Sequence, residues 1–219
     1  RDLLNEALWH GKARVPEYHT FPQFGKLYDP SWRTIEYNPE KARQLLKEAG
    51  YDGTPIRFDT QATYYTNGLL AVQAIREMWA EVGVKMEINV LDRWTGDDED
   101  MEARIWSNPL YFPDPVGSYG TMWSPTGARI TAKSWEPAKP KGYSSYEELW
   151  NNFRYSMDTA DRLKYYREIM EYIAEEAPFT ILYQPYESWG MRKDVDWKPL
   201  PGHIPYVLDF HKGNITVSR

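Results

Sequence analysis

The sequence predicts an α/β fold of the mixed α+β kind. Three observations predict it. Apolar residues recur at helical spacing in the stretches 38–50, 66–82 and 160–177. Val84, Met86, Ile88 and Val90 alternate strictly with other residues, which is the period of a half-buried strand. Helix-like and strand-like stretches interleave along the chain rather than segregating.

Taken in order, Asp2 to Trp9 reads as a short helix, and an aromatic, Pro-containing loop follows from Val15 to Tyr37. Asn38 is a good N-cap, Pro39 sits at N1 where its missing N–H costs nothing, and Ala42, Leu45, Leu46 and Ala49 share a face. Gly50 takes the left-handed position that stops this helix. Ile56-Arg57-Phe58 reads as a strand. The helix from Thr66 to Val82 puts Leu69, Val72, Ile75, Met78 and Val82 on one side and stops at Gly83. Arg104 to Trp106 is expected to be another short strand. Residues 108–143, rich in Pro, Gly, Ser and Trp, are expected to be a long ordered loop with little regular structure. Ser145-Tyr146-Glu147-Glu148 is a capping-box pattern opening a helix to about Met157. A second helix runs from about Ala160 to Ala177 and ends at Pro178. Phe179, Ile181 and Tyr183 then alternate as a strand. A boundary is expected near Asp196, separating a lobe of residues 1–196 from a tail of residues 197–219.

Composition narrows the function classes. With 219 residues the chain can bury a substantial core. A net charge of −6 disfavours nucleic acid or an anionic membrane surface as the main partner. No apolar run approaches the roughly 20 residues that span a bilayer. The absence of cysteine excludes disulfides, thiolate metal sites and a cysteine nucleophile. The 10 Trp and 17 Tyr are unusual; aromatic side chains serve cores and also clefts that hold sugars or peptides.

As a string, Asn38 to Gly53, NPEKARQLLKEAGYDG, closely resembles a signature of the family 5 extracellular solute-binding proteins. These are the dipeptide, oligopeptide and nickel receptors of bacterial ABC importers. Three further blocks resemble the family in order: AVQAIREMWAEVGVK from Ala71, Pro113-Asp114-Pro115, and DRLKYYREIMEYIAEEAP from Asp161. The resemblance implies the second lobe of a two-lobed periplasmic-binding-protein-like fold. It also implies a chain that is a fragment, without the first lobe, the signal peptide and the lipoprotein cysteine. The tail after Asp196 would then return to the missing N-terminal lobe. Implied partners are a small solute and the transmembrane subunits of an ABC permease. The implied location is periplasmic or extracellular, with a lipoprotein anchor possible, and no cofactor is implied.

By the same resemblance, Trp94 falls where a Trp lines the cleft just after a strand. Trp106 falls where a second cleft Trp ends the next strand, with Asn108 close by. Asn67, before the 66–82 helix, aligns with a position that touches ligand in some relatives, and Tyr64 and Tyr65 are its neighbours. Peptide binders carry an Asp three residues after the second Trp, paired with the peptide's α-ammonium; here Pro109 stands there. Losing that carboxylate removes a charge-assisted hydrogen bond. The loop between the two Trp positions instead holds Asp97, Asp98, Glu99, Asp100 and Glu102, which suits a neutral or cationic solute. Each candidate has a plainer alternative. Trp at a strand end is commonly core, the acidic run is a solvated turn, and Asp114 is a turn residue that fixes its loop. Trp123, Arg129 and Trp135 lie in the long loop, within possible reach of a cleft.

None of His10, His19, His203 and His211 pair at metal-ligand spacing, so no metal site is expected. Nickel-binding members of the family the chain resembles use a histidine near the second cleft Trp, and none stands between Trp94 and Trp135, so nickel ranks low. The chain has no G-x-S-x-G, H-E-x-x-H, Walker A or G-x-G-x-x-G pattern. By the resemblance, the favoured reading is a non-enzymatic receptor that captures an oligopeptide or dipeptide by hinge closure, with an oligosaccharide as the alternative ligand. A glycan-active enzyme needs two carboxyl groups facing each other in a cleft, and a sensor module needs further domains; both rank below the receptor.

Overall fold

The alternating stretches at Ile56–Thr60 (β1) and Met86–Val90 (β2) become adjacent parallel strands, paired from Ile56 with Met86 to Thr60 with Val90. In the computed structural model the described residues are 1–32, 36–94, 101–108, 110–186, 188–197 and 215–218. They fall into two compact units, Arg1–Ala13 with Ile35–Ser107 and Arg14–Thr34 with Asn108–Arg219.

The first unit holds α1 (Asp2–Trp9), α2 (Pro39–Glu48), β1, α3 (Gly68–Glu81), β2 and β3 (Ala103–Arg104). The sheet order is β2-β1-β3, all parallel, with Phe58 opposite Ala103 and Asp59 opposite Arg104. Parallel strands need a crossover, and α3 supplies it between β1 and β2. Its buried face is Ala71, Val72 and Ile75, and Trp79 meets Phe58 edge to face at 6.3 Å. Gly83 stops the helix at φ +97°, a conformation that favours glycine. The strand expected over 104–106 lies one residue earlier, at Ala103–Arg104.

α2 forms as its caps dictate. Asn38 Oδ1 accepts from Lys41 N at 2.9 Å, and Gly50 adopts φ +69°. Its apolar face is less covered than the pattern implies, with no residue of the helix buried and Leu45 51% exposed.

The second unit is built around α6 (Tyr146–Tyr155) and α7 (Thr159–Glu176). Ser145 Oγ accepts from Glu148 N at 3.1 Å, while Glu148 Oε2 reaches back to Ser144 N at 2.7 Å, one residue beyond a standard capping box. Asp158 caps α7, accepting from Ala160 N at 2.8 Å and Asp161 N at 3.0 Å. Leu149, Phe153, Tyr166, Ile169 and Met170 from these helices form the centre of an aromatic-rich core. The loop expected over 15–37 contributes to that core through a 3-10 helix at Pro22–Leu27 that buries Phe24 and Leu27.

Two expectations are corrected here. Residues 108–143, expected to hold little regular structure, hold more than composition suggests: a 3-10 turn at Pro115–Gly117, α4 (Tyr119–Trp123) and α5 (Ala128–Thr131) lie within them. Each is too short to show a period, so composition alone reads as loop. The strand expected from Phe179 to Tyr183 is absent. A single antiparallel bridge joins Gln184 to Arg14. Pro185 follows one partner and Pro16 lies two residues after the other, and neither has an N–H to extend a ladder. Phe179 instead stacks on Trp123 at 4.4 Å. Near the end of the chain, β4 (Val195–Trp197) and β5 (Ile215–Val217) pair antiparallel, so the boundary expected near Asp196 falls inside β4. Residues 198–214 of the expected tail lie outside the described residues.

Candidate ligand-binding site

All three strands of the first unit run parallel, so their carboxyl ends open on one edge of the sheet, where open α/β sheets present ligand groups. The segments leaving those ends carry Gln61 to Tyr65 after β1, Trp94 after β2, and Trp106 after β3. Side-chain contacts tie the three segments together. With its amide oxygen turned toward them, Gln61 accepts from Trp94 N at 2.7 Å and Arg93 N at 3.2 Å. Tyr65 Oη accepts from Ser107 N at 3.1 Å. Tyr64 packs edge to face on Tyr65 at 4.7 Å and on Trp94 at 6.1 Å.

Between the two tryptophans lies a residue that the sequence reading passed over. The guanidinium carbon of Arg104 is 3.9 Å from the centroid of Trp94 and 4.0 Å from that of Trp106. Both are contact distances, and cation–π attraction of this kind favours the flat guanidinium over the indole faces. Register explains how Arg104 is placed. It stands opposite Asp59, which is 1% exposed. Asp59 Oδ1 accepts from Arg57 Nε at 3.0 Å and from Asn89 Nδ2 at 2.9 Å. A buried carboxylate needs such partners, and this set fixes the polar face of the sheet beside Arg104. The alternation Ile56-Arg57-Phe58-Asp59 in β1 was the available signal, because it puts Arg57 and Asp59 on one face.

The structure thus brings Trp94, Trp106, Tyr64 and Tyr65 into one aromatic shelf. Trp106 is 42% exposed and Trp94 is half-buried. Asn67 takes a different place. It is left-handed at φ 59°, just before α3, and its Nδ2 donates to Leu8 O at 2.8 Å, tying α1 to the start of α3. Asn108 opens the return into the second unit, and its amide is enclosed with no hydrogen-bond partner among the described residues. Pro109 and the acids Asp97 to Asp100 lie outside the described residues. Glu102 is described, and its Oε2 accepts from Arg57 N at 2.7 Å.

Four residues, Trp123, Trp135, Asp114 and His19, pack in the second unit's core or brace its loops. Trp123, one of the loop residues placed within reach of a cleft, stacks on Phe179, and Trp135 packs against Tyr146 at 5.6 Å and Tyr172 at 6.0 Å. Asp114 caps the turn at Val116 N (2.9 Å) and holds Arg162 Nη2 at 2.9 Å. His19 is buried among Phe21, Tyr119 and Phe179, and burial pushes its pKa down to about 3. Among the described residues no three His, Cys, Asp or Glu side chains cluster to hold a metal ion. No helix among them is long and apolar enough to cross a membrane.

Known proteins resemble this chain in sequence and in fold. Di/tripeptide-binding protein 1 of Pseudomonas aeruginosa is 26% identical over 223 residues, covering 89% of this chain and 37% of that protein. The oligopeptide-binding protein AppA of Bacillus subtilis, solved with a nonapeptide, superposes with a TM-score of 0.71 at 17% identity, over 100% of this chain and 45% of that one. The periplasmic binding protein DppA of Helicobacter pylori, solved with the peptide STSA, gives a TM-score of 0.66 at 23% identity, over 84% and 36%. The chain therefore spans well under two thirds of the length of the relatives it matches. Residues 1–129 match the model of the bacterial extracellular solute-binding proteins, family 5 Middle. The chain belongs to the family 5 bacterial extracellular solute-binding proteins.

Proposed function

We propose that this chain forms one wall of the ligand crevice in a receptor that captures a peptide outside the cytoplasmic membrane and delivers it to an ABC permease. The observation that carries this reading is the aromatic shelf of Trp94, Trp106, Tyr64 and Tyr65 at the carboxyl ends of three parallel strands. Di- and tripeptides are the named ligands of the Pseudomonas relative, which favours a short peptide here. The facing wall comes from a further lobe of the longer protein. Ligand seated between the lobes has more contacts in the closed form and shifts the population toward it, and the permease recognises that form. The role is capture rather than chemistry. Asn67 and Asn108 sit less favourably than the tryptophans, since Asn67 already donates to Leu8.

Trp106 is 42% exposed, and an exposed indole can take a sugar ring as well as a peptide plane. An oligosaccharide is accordingly the second reading. Native mass spectrometry of the whole protein, purified gently from its host, separates the two. Co-purified masses spaced by amino-acid residues support the peptide reading. A hexose or pentose ladder replaces it with the sugar reading.

A further inference from the structure

We propose that Arg104 is a specificity-determining residue of the aromatic shelf: seated between Trp94 and Trp106, it sets their separation and closes the gap between them to planar ligands. The inference rests on reading the shelf as a ligand wall. Its test uses no transported solute, so its failure leaves the receptor reading standing.

The argument begins from thickness. A planar group in van der Waals contact with a ring lies roughly 3.5–4 Å away. The Arg104 guanidinium carbon meets that distance to both indoles, at 3.9 Å and 4.0 Å. The space between the rings is therefore one planar group deep, and the chain's own side chain fills it. A ligand ring, peptide plane or guanidinium cannot enter while Arg104 is in place. What the shelf offers instead is the outward part of Trp106, which is 42% exposed.

The backbone keeps Arg104 in this position. Arg104 ends β3, a two-residue strand whose register against β1 is set by Phe58 with Ala103 and Asp59 with Arg104. Asp59, fixed by Arg57 and Asn89, makes the neighbouring strand face rigid and polar. Downstream, Tyr65 Oη holds Ser107 N, so the chain is anchored on both sides of Trp106. Arginine suits the gap where lysine does not, because its head group is flat and stacks on rings over its whole area.

Removing the side chain should convert the filled gap into a slot for a free planar cation. The experiment titrates methylguanidinium chloride, at millimolar concentrations, into the full chain and into its Arg104→Ala variant, reading tryptophan fluorescence. The proposal expects a saturable change in the variant and an apparent affinity roughly tenfold or more above any response of the wild type, the scale of one cation–π contact. Adding Trp94→Phe to the Arg104→Ala variant should weaken the response. Far-UV circular dichroism reports whether each variant is folded. If Arg104→Ala does not fold, Arg104→Met, which is neutral and narrower, takes its place with the same expected direction. Equal responses from wild type and folded variant overturn the proposal, as does a folded variant that gives no saturable response.

Discussion

Asp158 caps the longest helix among the described residues with a single carboxylate oxygen that accepts two backbone N–H groups, from Ala160 and Asp161. Its negative charge also faces the positive end of the α7 dipole. Asp158→Ala should lower stability by about 1 kcal/mol, the usual effect of losing an N-cap. Urea denaturation of the two proteins would show it as a shifted midpoint at constant slope. Ion pairs on this molecule differ by how well water is kept from them. Arg162 reaches both carboxylate oxygens of Asp114, and the two side chains are 22% and 26% exposed. Arg76 and Glu77 pair at 2.7 Å but are 47% and 70% exposed. Arg162→Ala should therefore cost about 1–2 kcal/mol, since Asp114 is left partly shielded without its donor. Arg76→Ala should change stability by less than about 0.5 kcal/mol. Equal effects of the two substitutions in the same denaturation assay would mean that the Asp114 pair is as solvated as a surface pair.

At the scale of elements, a helical period tells which residues share a face but not whether the face has a neighbour. α2 and α6 both read as amphipathic, yet Leu149 of α6 is 1% exposed and Leu45 of α2 is 51% exposed. Leu149→Ala should cost about 2–5 kcal/mol, as truncations in packed cores do, whereas Leu45→Ala should stay within about 0.5 kcal/mol. Thermal melts of both variants check the contrast. The same distinction explains what the chain made legible. Caps and stops are local, so the bounds of α2, α6 and α7 could be read from Asn38, Gly50, Ser145 and Pro178 to within a few residues. Pairing is not local. Phe179, Ile181 and Tyr183 alternate as a strand should, but Pro16 and Pro185 limit the bridge around Gln184. The family resemblance pointed to Trp94 and Trp106, and the structure brings both to one shelf. Arg104 between them could not be seen from spacing, because its position depends on the register of β3 against β1.

The aromatic excess of the whole chain goes largely into the second unit, where rings from Phe21 to Phe179 pack on one another, and this packing encloses His19. His19 is 3% exposed, its imidazole sits against Phe21 and Phe179, and its Nε2 has no hydrogen-bond partner among the described residues. Burial among rings penalises the charged form and lowers the pKa from 6.5 to about 3. The sign of the pH dependence follows. An unfolded chain binds a proton at His19 as pH falls below 6.5, while the folded chain does not until about pH 3. Stability from this group is therefore complete above 6.5 and declines between 6.5 and about 3, by up to about 1.4 kcal/mol per pH unit. The His19→Gln variant retains the other titrating groups and removes this one. Between pH 7.5 and pH 5.5 the wild type should lose about 1.4 kcal/mol more than His19→Gln does, measured by urea denaturation at each pH. The variant should be less stable than the wild type at neutral pH, because an amide replaces a ring in a stacked core. The difference between them should narrow as the solution is acidified. Parallel pH profiles for the two proteins would show that His19 reaches solvent in the folded state, and that the aromatic core of the second unit is more open than its packing implies.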